Sequence, residues 1–237
     1  MKIKTPMLIS ISLFALNFIV FQIQPLRIVL YPFIILSTWF HEMGHGICSL
    51  ILGGEFLYLQ IFADGSGIAY VSSTNSLGNV GSALVALSGP LFPPILGYVF
   101  IVSSKNLNFN RLILFLLSVA IFISNLIWVR STFGFIFLMI MSIIIFLISI
   151  SNNKSLQFYI SQVVGIQAFM SVYFSIGYLF SSYGDINQSS LYSDTENVAR
   201  NLFLPNWFWA IFIIAISIFL LYRALKTLNK QTKPLLQ

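Results

Sequence analysis

Long apolar runs separated by short polar segments dominate the chain. Each run, folded as a helix, is long enough to cross a hydrocarbon core of roughly 30 Å. The fourth and fifth are short and meet at Arg130, so they could form a single re-entrant pair, and six to seven spans are expected. The seven runs are Pro6–Ile23, Ile28–Leu52, Leu77–Ser103, Leu112–Val129, Phe133–Ile150, Leu156–Phe180 and Trp207–Tyr222. The pattern predicts an all-α, multi-pass integral membrane protein whose residues 1–237 form a single domain in the lipid bilayer.

The polar segment Gly53–Ser76 has a different pattern. Two β-prone runs flank the turn sequence Ala63-Asp-Gly-Ser-Gly, which is typical of a hairpin. We therefore expect a small β-hairpin loop after the second apolar run. Its free edge could accept an extended peptide as an added strand, although a simple connecting turn is the alternative.

Composition excludes several classes of protein. Hydrophobic residues make up 58% of the 237 residues and charged residues 8%, whereas a soluble domain has about 25% charged residues. The net charge of +6 comes from scattered residues and a basic tail at Lys226, Lys230 and Lys233, so it indicates membrane topology and no nucleic acid partner. The single cysteine, Cys48, excludes an intramolecular disulfide. Nothing in the composition indicates an oligomeric state.

The second apolar run contains the sequence His41-Glu-Met-Gly-His45, which includes both histidines of the chain. On a helix, residues four apart share a face, so the two imidazoles can bind one zinc ion. Glu42 is then placed to accept a proton from a water molecule at the metal. The alternative is a pair of core histidines with hydrogen-bond partners. It does not explain the adjacent glutamate, which is costly to bury in a membrane span unless it has a function.

A catalytic zinc site needs a third protein ligand, and no third histidine exists. The sequence Ser193-Asp-Thr-Glu196 is a capping box, so Asp194 could instead serve a helix N-terminus. The role of Asp64 could be limited to stabilising the turn in which it lies. The residues alone leave the choice open among Asp194, Asp185, Asp64, Glu55, Glu196 and Cys48.

These motifs resemble the site-2 protease family of intramembrane zinc metallopeptidases, in its compact peptidase M50B-like branch. The HExxH sequence near the end of a span is the strongest likeness, and the others extend it over about residues 38–210. The other matching sequences are Gly53-Gly54, Asp64-Gly-Ser-Gly67, Ser88-Gly-Pro90, Ser193-Asp194, Ala199-Arg200 and Leu204-Pro205.

The resemblance implies a zinc cofactor held by His41, His45 and Asp194, with Glu42 as the catalytic base. Asp194 takes this role through the Ser-Asp sequence, because the chain lacks the Leu-Asp-Gly sequence that supplies the third ligand in site-2 proteases. The implied function is a zinc-dependent endopeptidase that hydrolyses membrane-spanning proteins or peptides. The alternative is a non-proteolytic membrane protein that retains a structural or substrate-holding metal site. Glu42 favours the enzyme, since a structural site does not need it.

Overall fold

A computed structural model describes residues 5–72, 75–186 and 189–230, and this part of the chain is mostly helical. Four strands form two small antiparallel sheets. The helices are α1 (Thr5–Gln22), α2 (Arg27–Ile51), α3 (Asn79–Ser103), α4 (Leu107–Ile127), α5 (Thr132–Ile150), α6 (Lys154–Phe174), α7 (Ile176–Phe180), α8 (Asp194–Asn201) and α9 (Asn206–Asn229). The strands are β1 (Phe56–Ile61), β2 (Gly67–Val71), β3 (Tyr183–Ile186) and β4 (Ser189–Tyr192).

The prediction of seven spans is not confirmed. Among the described residues, five segments are long and apolar enough to cross a membrane: α3, α4, α5, α9 and the combined α6–α7 segment. The α1 and α2 helices meet the same criterion only as a pair, which bends by 117° at Ile23 and gives a sixth candidate. The His-Glu-His sequence and several hydroxyl groups lower the hydropathy of α2, which explains why this run does not qualify alone.

Helix α3 lies at the centre of the packing and contacts α2, α6, α8 and α9. The largest buried apolar cluster joins α2 to α4, α5 and β1. A second cluster joins the first half of α3 to α7, α8 and α9 through residues such as Leu87, Leu179 and Val198. Because α8 is held by this second cluster, its first turn has a defined position against α2 and α3.

The hairpin after α2 also pairs with a segment outside its own two strands. Strand β1 pairs with β2 on one side. On its other side, Leu59 donates its N–H to the carbonyl of Trp128 at 2.9 Å and accepts the N–H of Arg130 at 2.9 Å. The linker between α4 and α5 therefore forms a single parallel β-bridge with β1, and this bridge ties the hairpin to the helices.

Candidate metal centre

Helix α2 carries both histidines on the side that faces α3 and α8. One helical turn separates them, and their Nε2 atoms lie 3.1 Å apart. The Nδ1 atom of His45 lies 2.7 Å from the carbonyl oxygen of Val85 on α3. A carbonyl can only accept, so His45 carries a proton on Nδ1, and Nε2 is the atom that would bind a metal.

Small residues let α3 approach the histidines closely. A Cβ added to Gly89 would overlap the His45 imidazole, and one added to Gly44 would lie 2.6 Å from the carbonyl oxygen of Ser88. The Ser88 hydroxyl also donates to the carbonyl of Gly44 at 3.0 Å. Close helix contacts through small residues are common in membrane proteins. The Ser-Gly-Pro sequence thus acts here as the packing surface for the two histidines.

Asp194 is the first residue of α8 and is 7% exposed. Its Oδ2 atom lies 3.0 Å from His41 Nε2, and its Oδ1 atom lies 3.3 Å from His45 Nε2. The N-cap hydrogen bond comes from another residue, because the Ser193 hydroxyl accepts the N–H of Glu196. The capping interpretation of this segment therefore applies to Ser193, and the Asp194 carboxylate is left to face the imidazoles.

The other candidates for a third ligand lie elsewhere in the described part of the chain. Asp64 accepts the backbone N–H and the hydroxyl of Ser66 within its own turn, at 2.8 and 2.7 Å. Glu55, Glu196 and Cys48 are absent from the ligand cluster of His41, His45 and Asp194. The side chain of Asp185 lies outside the described residues.

The donor atoms of this cluster suit one metal ion. All lie within 4.8 Å of one another. Ligand atoms at the usual distances from a tetrahedral zinc are about 3.3–3.6 Å apart, close to the separations seen here. The Oδ2 atom of Asp194 is buried, and its nearest polar neighbour is His41 Nε2 at 3.0 Å. Two imidazole nitrogens and a buried carboxylate that meet at such distances are the donor set of a zinc site.

Unlike His41 and His45, Asp194 lies on a helix, α8, that is not part of a candidate membrane span. Burial raises its pKa, but the neighbouring imidazoles of His45 and His41 lower it by more, so its pKa lies below the ordinary value. Asp194 is therefore ionised at neutral pH, as a metal ligand must be.

Glu42 lies beside the ligand cluster and is 5% exposed. Strand β2 lies against its carboxylate, and both Glu42 and Ala69 line the same cavity. A Cβ added to Gly67 would lie 3.0 Å from the Glu42 Oε1 atom, so the strand is in close contact with the carboxylate. The hairpin thus positions a proton acceptor next to the three candidate ligands.

The turn before α8 is anchored by contacts that sequence reasoning missed. The hydroxyl of Thr195 donates to the carbonyl of Leu179 at 2.6 Å, and the hydroxyl of Ser193 donates to the carbonyl of Ser181 at 2.6 Å. The backbone N–H of Asp194 donates to the hydroxyl of Tyr178 at 3.1 Å. No motif near Tyr178 in the sequence marks it, because its contact with Asp194 depends on the packing of α7 against α8.

A cavity of about 1120 Å³ opens beside the cluster. Segments from both hairpins and from six helices (α1, α2, α3, α6, α7 and α8) line it. Its residues include Tyr31, Thr38, Ala69, Val85, Tyr178, Tyr192 and Asn197, together with His41, Glu42, His45 and Asp194. A group bound there would lie against both the candidate base and the candidate metal ligands.

The described residues form a mostly helical protein with five to six candidate membrane spans, and three of its side chains could hold a metal ion. A family profile described as Peptidase M50B-like matches residues 10–224, and the chain belongs to this family. The resemblance to the site-2 proteases is thereby confirmed at the level of the family. No curated protein and no solved structure matches the chain.

Proposed function

We propose that the chain is a zinc-dependent intramembrane endopeptidase that cleaves membrane-spanning proteins or peptides. The observation that carries this proposal is the convergence of His41, His45 and Asp194 on one point, with Glu42 beside them. Family membership supports peptidase chemistry, and the cavity supports a peptide substrate. Small-molecule sites usually have volumes of roughly 300–1,000 Å³, so this cavity exceeds the usual range.

Zinc held by these three residues would polarise the carbonyl of the scissile bond and lower the pKa of a bound water molecule to about 7. Glu42 would accept the proton of the attacking water and return it to the leaving amine. Strand β2 lies against the Glu42 carboxylate at Gly67, and Glu42 lines the cavity. His45 is oriented by its bond to Val85, so the imidazole does not need to turn when a metal binds.

The test compares wild type with Glu42→Gln, using the purified protein in detergent and a fluorescent single-span reporter panel. The amide keeps the size of the side chain but cannot accept the proton. Cleavage should fall by a factor on the order of a hundred or more, as expected when a general base is lost. Zinc content should stay at about one ion per chain, since Glu42 is not among the proposed ligands.

Glu55→Gln is the matched control, because Glu55 is exposed at the start of the first hairpin. It should leave both cleavage and zinc content unchanged. Unchanged cleavage in Glu42→Gln would contradict the proposed chemistry. Zinc binding without cleavage of any reporter by the wild type would instead support a non-proteolytic protein with a retained metal site.

A further inference from the structure

Tyr178 lies on the short helix α7, next to the candidate metal centre. Helix α6 ends at Phe174, and α7 starts at Ile176 within the same candidate span. The side chain of Tyr178 lines the cavity. Its hydroxyl then accepts the backbone N–H of Asp194 at 3.1 Å.

This hydrogen bond fixes the main chain of the candidate third ligand. Asp194 is the first residue of α8, where backbone N–H groups have no partner within the helix. Because the Tyr178 oxygen accepts this N–H, it holds the residue whose carboxylate faces the two imidazoles.

The position of the Tyr178 ring is fixed by its surroundings. A Cβ added to Gly184 on β3 would overlap the ring, so the strand lies directly against it. The carbonyl of Tyr178 accepts the hydroxyl of Ser181 at 3.0 Å, and the next carbonyl, that of Leu179, accepts the hydroxyl of Thr195. Helix α7 and the first turn of α8 are thus tied together around Tyr178.

We propose that Tyr178 is a positioning residue that orients Asp194 as the third ligand of the metal. The inference rests on the metal site of the proposed function and adds a role for a residue outside the HExxH and Ser-Asp motifs. Groups that hydrogen-bond to a metal ligand fix its orientation, and their loss typically lowers metal affinity by about 10–100-fold. Tyr178 is suited to this role because its hydroxyl accepts the main-chain N–H of Asp194 from a ring that is held in place by β3.

The test measures Zn²⁺ affinity by competition with Co²⁺, using metal-free protein in detergent. Tyr178→Phe keeps the ring and removes the hydroxyl. Its Zn²⁺ affinity should fall by about 10–100-fold, and its Co²⁺ absorption spectrum should change because the ligand geometry is altered. Tyr98→Phe is the matched control, since Tyr98 packs on α3 against the cluster around Ile101 and Phe169. Its affinity and spectrum should equal those of the wild type.

A second variant guards against misfolding of the first. Gly184→Ala retains the hydroxyl group of Tyr178, but the added methyl group would displace its ring. This variant should therefore lower Zn²⁺ affinity as well. Melting temperatures of the metal-free proteins show whether each variant is folded. An affinity change confined to variants that melt early would identify a purely structural effect and overturn the inference.

The outcomes also separate this inference from the proposed function. If Tyr178→Phe binds Zn²⁺ as tightly as wild type and has the same Co²⁺ spectrum, the positioning role is wrong. If its cleavage falls while its metal affinity is unchanged, Tyr178 acts on substrate and the positioning role is again wrong. If His45→Ala also binds Zn²⁺ normally, the metal lies elsewhere and the proposed site itself fails.

Discussion

At the scale of single residues, the position of the His45 imidazole depends on Gly89, a residue that has no side chain. The imidazole of His45 occupies the space that a Cβ would fill at Gly89. His45 also donates a hydrogen bond to the carbonyl of Val85, which lies on α3 four residues before Gly89. A close approach between α2 and α3 therefore both orients His45 and leaves room for it, and any larger residue at position 89 must move the ring.

Gly89→Ala should weaken metal binding without directly removing a ligand. The added methyl group would displace the His45 imidazole, so we expect Zn²⁺ affinity to fall by at least about tenfold, as for other losses of ligand orientation. Isothermal titration of the metal-free protein measures this. Gly177→Ala is the matched control, because a Cβ there would meet nothing within 4 Å. An equal effect of both changes would indicate general destabilisation of the protein.

Asp194→Asn tests the third ligand more directly. The amide keeps the shape of the side chain but loses the negative charge that faces the two imidazoles. Zinc content should drop well below about one ion per chain, since a site with two remaining ligands binds weakly. Glu196→Gln, two residues later in the same helical turn, should retain the metal. Full zinc occupancy in Asp194→Asn would return the ligand role to another residue.

The chemistry at this scale was largely predictable. A helix places residues four apart on one face, so the pairing of His41 and His45 follows from spacing alone. The local sequence could not select Asp194, because Ser193 and Glu196 make the same segment a capping box. Tyr178 lacked any signal, since its contact with Asp194 depends on how the α6–α7 break packs against α8.

At the scale of elements, the first hairpin is a support for Glu42. Strand β1 is paired on both sides, by β2 and by the linker after α4. The N–H of Ile61 also donates to the hydroxyl of Ser131 at 2.9 Å. A strand held in this way cannot shift easily, so β2 keeps a fixed distance from the Glu42 carboxylate.

Gly67→Ala should separate metal binding from peptide cleavage. A Cβ at this position would lie 2.6 Å from the Thr38 methyl group and 3.0 Å from Glu42 Oε1, while the three proposed ligands are not among its contacts. We expect reporter cleavage to fall by about tenfold or more, because misplacing a proton acceptor by 1 Å is costly. Zinc content should be unchanged. Loss of zinc together with cleavage would show that the hairpin supports the whole centre.

The elements that the sequence missed are those without local signals. The turn sequence Ala63-Asp-Gly-Ser-Gly marks the first hairpin, and the capping box marks the start of α8. The strands β3 and β4 instead lie in a segment with weak β propensity, and they form beside α7 and α8. The β-bridge between Val129 and Leu59 likewise has no signal in the sequence, because the two residues are distant along the chain.

At the scale of the whole molecule, hydropathy found the apolar helices but not how they are arranged. A window of apolar residues reports length and cannot detect that two helices bend back by 117° at Ile23. The contacts of α1 show how it is attached. The Ser10 hydroxyl donates to Gln162 at 2.6 Å, and the Asn17 amide donates to Gln167 at 2.8 Å. Helix α1 is therefore bound to α6 by two polar pairs within an otherwise apolar contact.

The pair of Asn17 and Gln167 should show measurable coupling in a double-mutant cycle. Both residues are buried, and Gln167 also lines the cavity. Hydrogen bonds between membrane helices are worth about 0.6 kcal/mol on average and up to about 1.7 kcal/mol. Asn17→Ala and Gln167→Ala should each lower the free energy of unfolding in detergent, and the double variant should lose less than their sum by an amount in this range.

The control cycle pairs Asn17→Ala with Gln157→Ala. The Gln157 amide donates to the carbonyls of Ile148, Ser149 and Ser151 at the end of α5, so it has a comparable polar environment but a different partner. The two single effects should then add within about 0.5 kcal/mol. Coupling of the same size in both cycles would show that the changes loosen the bundle as a whole. Additivity in the first cycle would instead mean that Asn17 and Gln167 do not attach α1 to α6.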